Sequence, residues 1–245
     1  MWEARRTVLL EDFTGQNCIN CPAAHEVIEQ LQLQYGDNLI PVSVHAGNFG
    51  FSVDYTNYDY NLVGLMQPEG TRMSDAWGIT TFPMGVIDRT GSPLEADSWA
   101  AAVRDRVAAP TGLAIGVEAA FADPAERNFD IDITFAPAAD INGTLHVWVL
   151  ESGIVAFQRT TTTRIPDYVH NNVYRASVNS YEGEPIALEA HIHATRSYSV
   201  AVRDTEHERW NPANLSVVAF VQTSAGVVQA ARAKVAPYQA SGTEN

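Results

Sequence analysis

Residues 8–22, VLLEDFTGQNCINCP, decide the fold of this chain. The stretch begins as a short aliphatic run of the kind that forms a buried strand, and it ends in two cysteines separated by two residues. In the continuation, CPAAHEVIEQLQLQYGD, apolar side chains recur every three or four residues and Gly36 supplies a terminating residue, which predicts a helix. Cys18 and Cys21 are therefore expected at the start of a helix that follows a strand.

The chain up to Pro110 continues this alternation. NLIPVSVHAG, residues 38–47, predicts a second strand, and a strand, a helix and a strand at this spacing favour a parallel crossover. Residues 48–78 are interpreted as an insertion with a short helix near its end. TTFPMGVID, residues 80–88, then predicts a strand, and DSWAAAVRDRVAA, residues 97–109, predicts a helix.

The pattern changes after residues 109–112, APTG. Short alternating runs separated by Gly, Pro, Asn and Asp predict an antiparallel sandwich of immunoglobulin-like type. The runs are LAIGVEAAF, NFDIDITFAP, GTLHVWVLES, VYRASV, PIALEAHIHATRSYSVAV and LSVVAFVQTSAGVVQAARAKV. RTTTTRIPDYVHNN, residues 159–172, is interpreted as a long connecting loop. The expected fold class is thus α/β plus all-β, with one domain over residues 1–110 and a β-sandwich domain over residues 113–245.

The charge balance limits the function. The chain has 15 Lys and Arg against 29 Asp and Glu, a formal net charge of −14 at pH 7. Such a surface repels phosphate backbones, which argues against nucleic-acid binding. No run of the sequence approaches the roughly 18 to 20 apolar residues of a membrane-spanning helix. No run has the pattern of an intact signal peptide. The sequence is compatible with a precursor from which a targeting segment or a lipid-anchor signal was removed.

The cysteine pair has three chemical uses. A helix N-terminus stabilises a thiolate on Cys18, and Cys21, one turn later, can close or resolve a disulfide with it. The same spacing serves a structural bridge. His25 extends the pair to positions i, i+3 and i+7 of one helix face, so the three side chains are a weaker candidate set for copper(I) or zinc. His45, at the end of its strand, is expected either to reach the cysteine region or to be a hydrogen-bonded structural histidine.

An acidic residue, Asp12, stands six positions before Cys18, and TFPMGVID places a proline, Pro83, before a later strand. These features resemble the active-site arrangement of thioredoxins, whose corresponding proline is cis. The resemblance implies that Cys18 is the attacking thiolate and Cys21 the resolving thiol. It further implies that Asp12 assists proton transfer at Cys21 and that Phe82 and Pro83 line a substrate groove. Residues 1–110 would then be a thioredoxin-like domain with an insertion around residues 48–78.

A wider resemblance covers nearly the whole chain. VLLEDFTGQNCINCPAAHE, VSVHAG, TFPMGVIDR and VVAFVQTSAGVVQAA are similar to the outer membrane protein 28-related family of gram-negative cell envelopes. This implies an exported protein, periplasmic or associated with the outer membrane. Its partners would be protein thiols and disulfides or another envelope protein, with no cofactor. Thiol–disulfide exchange is the leading hypothesis, and a noncatalytic envelope binding or structural protein with a structural disulfide is the alternative.

Overall fold

The computed structural model describes residues 5–57 and 62–239. The helices are α1 (Cys21–Tyr35), α2 (Pro68–Ala76) and α3 (Ala96–Val107). The strands of the first half are β1 (Val8–Thr14), β2 (Leu39–His45), β3 (Thr56–Asn57), β4 (Leu62–Val63) and β5 (Met84–Ile87). Those of the second half are β6 (Leu113–Phe121), β7 (Asn128–Pro137), β8 (Ile141–Glu151), β9 (Ile154–Arg159), β10 (Arg164–His170), β11 (Val173–Ser177), β12 (Glu184–Leu188), β13 (Ala194–Ala201), β14 (Leu215–Thr223) and β15 (Gly226–Lys234).

The strand, helix and strand predicted from the opening stretch are confirmed. β1 pairs in parallel with β2, and α1 forms the crossover between them. Pro22 occupies the first turn of α1, where a missing N–H costs no hydrogen bond, and Gly36 ends the helix with a positive φ of 53°. β5 pairs antiparallel with β1 on its other side. The short helix expected in the insertion is α2, while residues 58–61 of that insertion lie outside the described residues.

One sheet runs through both halves of the chain. Its strand order is β15-β14-β8-β11-β2-β1-β5, and β12 also pairs with β8. The connection between the halves is short: Val173 of β11 pairs in parallel with Ser43 of β2, and the Ser43 N–H donates to the Asn172 carbonyl at 2.8 Å. A separate antiparallel sheet, β13-β7-β6, packs across from the second half of the large sheet. The predicted class, an α/β part followed by an antiparallel β-rich part, is confirmed.

The β-rich part of the large sheet is buried on both faces. On β8, Val147 and Val149 lie in the cluster shared with β6 and β7. Their neighbours Trp148 and Leu150 lie in a second cluster together with Phe13 of β1. Because successive side chains of a strand point to opposite faces, β8 contributes to both cores. The second core joins the two halves, and the division into domains 1–110 and 113–245 stays a prediction.

A third cluster lies on the opposite face of β1. Along β1, Val8 and Leu10 point away from Leu9, which lies in the second core. They pack against Ile28 of α1 and Trp99 of α3. The two helices thus cover one face of the short parallel unit, and the β-rich part covers the other. This arrangement holds β1 in the interior, so residues at its end are buried.

A two-stranded hairpin, β9 with β10, is separate from the large sheet. It follows Gly153 and ends before Asn172, and both of these residues have positive φ, 71° and 55°. The expectation of a long loop over residues 159–172 is wrong, since residues 164–170 form β10. The threonine run and Pro166 conceal the strand in the sequence because the register of the hairpin shifts between Ile165 and Tyr168, where the proline lies.

Candidate functional site

The cysteine pair forms a disulfide between the turn that follows β1 and the first residue of α1. The Cys18 and Cys21 sulfurs are bonded, with the two Cα atoms 5.5 Å apart. A turn after β1 presents Cys18, whose N–H donates to the Gly15 carbonyl at 3.0 Å. Cys18 is 2% exposed and Cys21 is 0% exposed. The two cysteines therefore lie where the sequence predicts them, and both are buried.

The β9–β10 hairpin is hydrogen-bonded to the turn that carries Cys18. Gln158, fully buried, places its Nε2 at 3.0 Å from the Cys18 carbonyl and 3.3 Å from the Gly15 carbonyl. The Arg159 N–H donates to the Gln16 carbonyl at 2.8 Å. These bonds fasten the hairpin to the turn that carries Cys18. Sequence reasoning missed Gln158 because a single glutamine in an alternating run has no local mark of a long-range role.

Asp12 lies inside the molecule, beneath the start of α1. It is on β1, which lies between β2 and β5, and it is 0% exposed. Neither of its carboxylate oxygens has a hydrogen-bond partner among the residues that the structure describes. Buried polar side chains are normally hydrogen-bonded, so an unpartnered carboxyl in the interior is unusual. His25 Nε2 lies 3.5 Å from Asp12 Oδ2.

His25 connects this carboxyl with the hairpin. It stands one helical turn after Cys21, on the same face of α1. Its Nε2 is 3.1 Å from the Thr14 hydroxyl, and its Nδ1 is 2.7 Å from the hydroxyl of Tyr168 on β10. Burial raises the pKa of Tyr168 to about 12, with a smaller contribution from Glu29. The phenol therefore stays protonated at neutral pH.

Two further histidines lie behind this group. The rings of His45 and His170 are 5.3 Å apart between centroids, and both residues are buried. Burial, with the neighbouring His170, holds the pKa of His45 well below its ordinary value, and burial lowers the pKa of His170 to about 3. Both rings are neutral at physiological pH. His45 thus reaches the region of the site as a buried group, and neither of its ring nitrogens has a hydrogen-bond partner in the described part of the chain.

The predicted groove residues lie at the same end of the sheet. The peptide bond between Phe82 and Pro83 is cis, as the thioredoxin resemblance implies. Met84, the next residue, pairs with Phe13 of β1, so Pro83 lies beside the exit of β1 toward Cys18. The Phe82 ring meets the Phe49 ring edge to face at 5.3 Å. The substrate contact expected of Phe82 and Pro83 stays a prediction.

Two other properties bear on the site and its setting. Across residues 5–57 and 62–239, no group of three or more His, Cys, Asp or Glu side chains is arranged to hold a metal ion. Over the same residues, no helix is both long and apolar enough to cross a membrane.

The fold and the site define a class: an α/β unit with a CxxC disulfide at the start of its first helix, whose sheet continues into an antiparallel β-sandwich. The chain belongs to the Omp28 family, since the family described as "Outer membrane protein Omp28" matches residues 71–239, more than half of its length. It is accordingly an envelope protein. The matched residues begin after the Cys18–Cys21 pair, so the family match does not include the pair.

Solved structures of two bacterial proteins share the fold over most of this chain. HBP35 of Porphyromonas gingivalis is similar at a TM-score of 0.74 and 16% identity, over 100% of this chain and 82% of that one. A protein of Agrobacterium tumefaciens is similar at a TM-score of 0.56 and 16% identity, over 98% of this chain and 100% of that one. A domain of the outer membrane lipoprotein Omp28 from Porphyromonas gingivalis aligns at a TM-score of 0.38 and 17% identity, over 53% and 92%. No curated protein sequence matches the chain.

Proposed function

We propose that this protein carries out thiol–disulfide exchange in the gram-negative envelope, in the periplasm or at the outer membrane, through Cys18 and Cys21. The observation that carries the proposal is the position of the disulfide at the first turn of α1. His25 of the next turn lies 3.5 Å from Asp12, a buried carboxyl with no hydrogen-bond partner in the described chain. The helix N-terminus stabilises a thiolate at this position, which makes the pair reducible. Membership of an envelope family supports the location.

The reaction follows from these groups. In oxidising a substrate dithiol, a substrate thiolate attacks Cys18 Sγ, the bond between the two protein sulfurs breaks, and Cys21 leaves as a thiolate that takes a proton from Asp12. The second substrate thiolate then attacks the substrate sulfur that is bonded to Cys18. The mixed disulfide breaks, and Cys18 leaves with the electron pair as a thiolate. The products are a substrate disulfide and the reduced protein. Phe82 and the cis-proline Pro83 line the groove that holds the substrate.

Exchange requires the hairpin to move. At 2% exposure Cys18 offers no line of attack to a protein thiolate, and Gln158 lies over the turn that carries it. Within the described residues the hairpin pairs with no strand of the large sheet, and the chain turns at its two ends at Gly153 and Asn172, both with left-handed backbones. A hairpin outside the main sheet opens locally at less than the global free energy of unfolding. Opening of the hairpin is therefore the step that admits substrate.

Replacing Gln158 by alanine is expected to speed reduction of the disulfide by a water-soluble phosphine. The change removes the Nε2 contacts with the Cys18 and Gly15 carbonyls, each on the order of 1 kcal/mol, and every 1.4 kcal/mol taken from the closed state makes the open state about tenfold more populated. Alkylation of free thiols at timed intervals measures the rate. The matched control is Gln34→Ala, an exposed glutamine of α1. Equal rates for the two variants would mean that the hairpin does not limit access.

A second function is favoured by one observation, the complete burial of Cys21 and near-complete burial of Cys18. In that alternative the disulfide is a structural bridge at the start of α1, and the protein is a noncatalytic binding or structural component of the envelope. A loop closed over so few residues contributes little entropic stabilisation, so exchange is the stronger proposal.

The reduction potential of the pair tests the proposed function. Purified protein is equilibrated in dithiothreitol and glutathione buffers of known potential, and free thiols are trapped. We expect a reversible potential between roughly −270 and −120 mV, the range of exchange proteins. A value below about −300 mV is typical of structural bridges and would favour the alternative. Metal content measured on the same reduced sample tests the copper or zinc set of Cys18, Cys21 and His25.

A further inference from the structure

His25 is the group through which the buried site can reach solvent. This inference rests on the proposed exchange function and deepens it. Asp12 is sealed inside the sheet, whereas the His25 side chain is 15% exposed. His25 contacts Asp12 with one ring nitrogen and Tyr168 with the other. A histidine with a carboxyl on one side and a phenol on the other is arranged to accept and pass on a proton.

The neighbouring histidines do not have this arrangement. The rings of His45 and His170 contact one another but make no contact with Asp12 among those described. His170 Nε2 lies 3.3 Å from the Phe157 carbonyl, and neither ring nitrogen of His45 has a hydrogen-bond partner in the described chain. Their burial keeps both rings neutral at physiological pH. Of the three histidines in this region, His25 alone therefore combines contact with the carboxyl and contact with solvent.

We propose that His25 carries protons between solvent and Asp12 during exchange, and that Tyr168 is the positioning residue that holds the His25 ring for this transfer. When Asp12 gives its proton to the Cys21 thiolate, the Asp12 carboxylate takes the Nε2 proton of a doubly protonated His25 ring, and the ring becomes neutral. The neutral ring then takes up a proton from an acid in the solvent, which restores its charged form. No electrons pass through His25 or Tyr168, so the redox change stays on the four sulfurs of the protein and its substrate.

The hydrogen bonds determine the direction of the ring. The Tyr168 hydroxyl lies 2.7 Å from Nδ1 and accepts a hydrogen bond from a charged His25 ring. In that charged ring Nε2 also carries a proton, and this nitrogen faces Asp12 and the Thr14 hydroxyl. Once Nε2 has given up its proton, the remaining proton is on Nδ1 and the Tyr168 oxygen still accepts it. Both forms keep Nε2 on the side of the ring that faces the carboxyl.

Other ionisable groups face His25 and contribute to its pH response. They are Asp12 from β1, His45 from β2, Tyr168 and His170 from β10, and Glu29 on the same helix. Apart from Asp12, these groups line a cavity of about 50 Å³ together with His25. A cavity of this size is large enough to admit water.

The test follows reduction of the oxidised full chain by dithiothreitol from about pH 5 to pH 9, the range over which an imidazole titrates. We expect His25→Ala to lower the rate by about 10²-fold near neutral pH, the usual contribution of a positioned proton-transfer group. Added imidazole should restore a large part of that loss, because it can occupy the space left by the ring. Tyr168→Phe removes the hydrogen bond between Tyr168 and His25 Nδ1 but keeps the imidazole ring of His25. We therefore expect a smaller loss of rate and a retained inflection in the pH profile.

His25→Gln provides a second variant of similar size in case the alanine variant does not fold. It should lose the inflection that the wild-type protein shows and should not respond to imidazole. A His25→Ala protein that folds, keeps the wild-type pH profile and ignores imidazole would overturn the proton-carrying role while leaving exchange intact. A wild-type protein whose pair undergoes no exchange with any dithiol would overturn the proposed function, and this inference with it.

Discussion

Replacing Cys18 by serine is expected to abolish disulfide exchange by this protein while its fold is kept. Serine has neither the thiolate that attacks nor the sulfur that is attacked, so no mixed disulfide can form at this position. Cys21→Ser should behave differently: Cys18 stays able to attack a substrate disulfide, but the mixed disulfide cannot be resolved and accumulates. Turnover with a model disulfide peptide measures the first effect, and nonreducing electrophoresis followed by mass spectrometry measures the second.

The matched control for both variants is Asn20→Ser. Asn20 is exposed in the turn between the cysteines, and its side chain makes no capping hydrogen bond to α1. It should therefore keep full turnover. Far-UV circular dichroism and the unfolding midpoint establish that each variant is folded. Turnover that survives in a folded Cys18→Ser protein would refute exchange at this pair and support the structural-bridge alternative.

Replacing Asp88 by asparagine is expected to cost about 3–5 kcal/mol of unfolding free energy, the range measured when one partner of a buried ion pair is removed. Asp88 is fully buried, with Arg6 Nη1 and Arg106 Nε at 3.2 and 2.8 Å from its Oδ2. Its Oδ1 also accepts a hydrogen bond from the Leu9 N–H at 2.8 Å. The carboxylate thus joins β1, α3 and the segment before β1, and its neutralisation leaves the Arg6 guanidinium buried without a counter-charge.

Asparagine is chosen because Asp88 has a positive φ of 49°, which asparagine tolerates. The measured loss then reports the charge rather than backbone strain. Denaturant unfolding of the variant and of Asp105→Asn gives the comparison. Asp105 pairs with Arg104 at the surface, where the two side chains are 67% and 66% exposed, so its replacement should change stability by less than about 1 kcal/mol. Equal losses for the two variants would contradict the structural role of Asp88.

Several parts of the site were predictable from local sequence. The aliphatic run before the cysteines and the spacing of three and four after them are properties of neighbouring residues, and they correctly indicated β1, α1 and the location of the pair. The resemblance to thioredoxins indicated the cis bond at Pro83, which the structure has. The strand and the helix depend on backbone preferences and on periodicity along one segment, so the amino-acid order alone carries them, whereas the cis bond was implied by the resemblance.

The contacts of the cysteine turn and of His25 with the hairpin were decided by tertiary structure. Gln158 and Cys18 are 140 residues apart, and Tyr168 and His25 are 143 residues apart. No periodicity within one segment relates residues at such distances. The polar run before Tyr168 indicated a loop, and only the packing of the β-rich part against the first half brings it, as a hairpin, against the turn that carries Cys18.

The sequence by itself thus determined where the cysteine pair lies and which elements carry it, because strand, turn and helix signals are local. The tertiary structure decided that the pair is buried, that Asp12 lacks hydrogen-bond partners among the described residues, and that His25 lies between that carboxyl and Tyr168. Burial and hydrogen bonding of a side chain depend on which distant segments pack around it. That packing follows from the continuation of one sheet from the α/β part into the β-rich part.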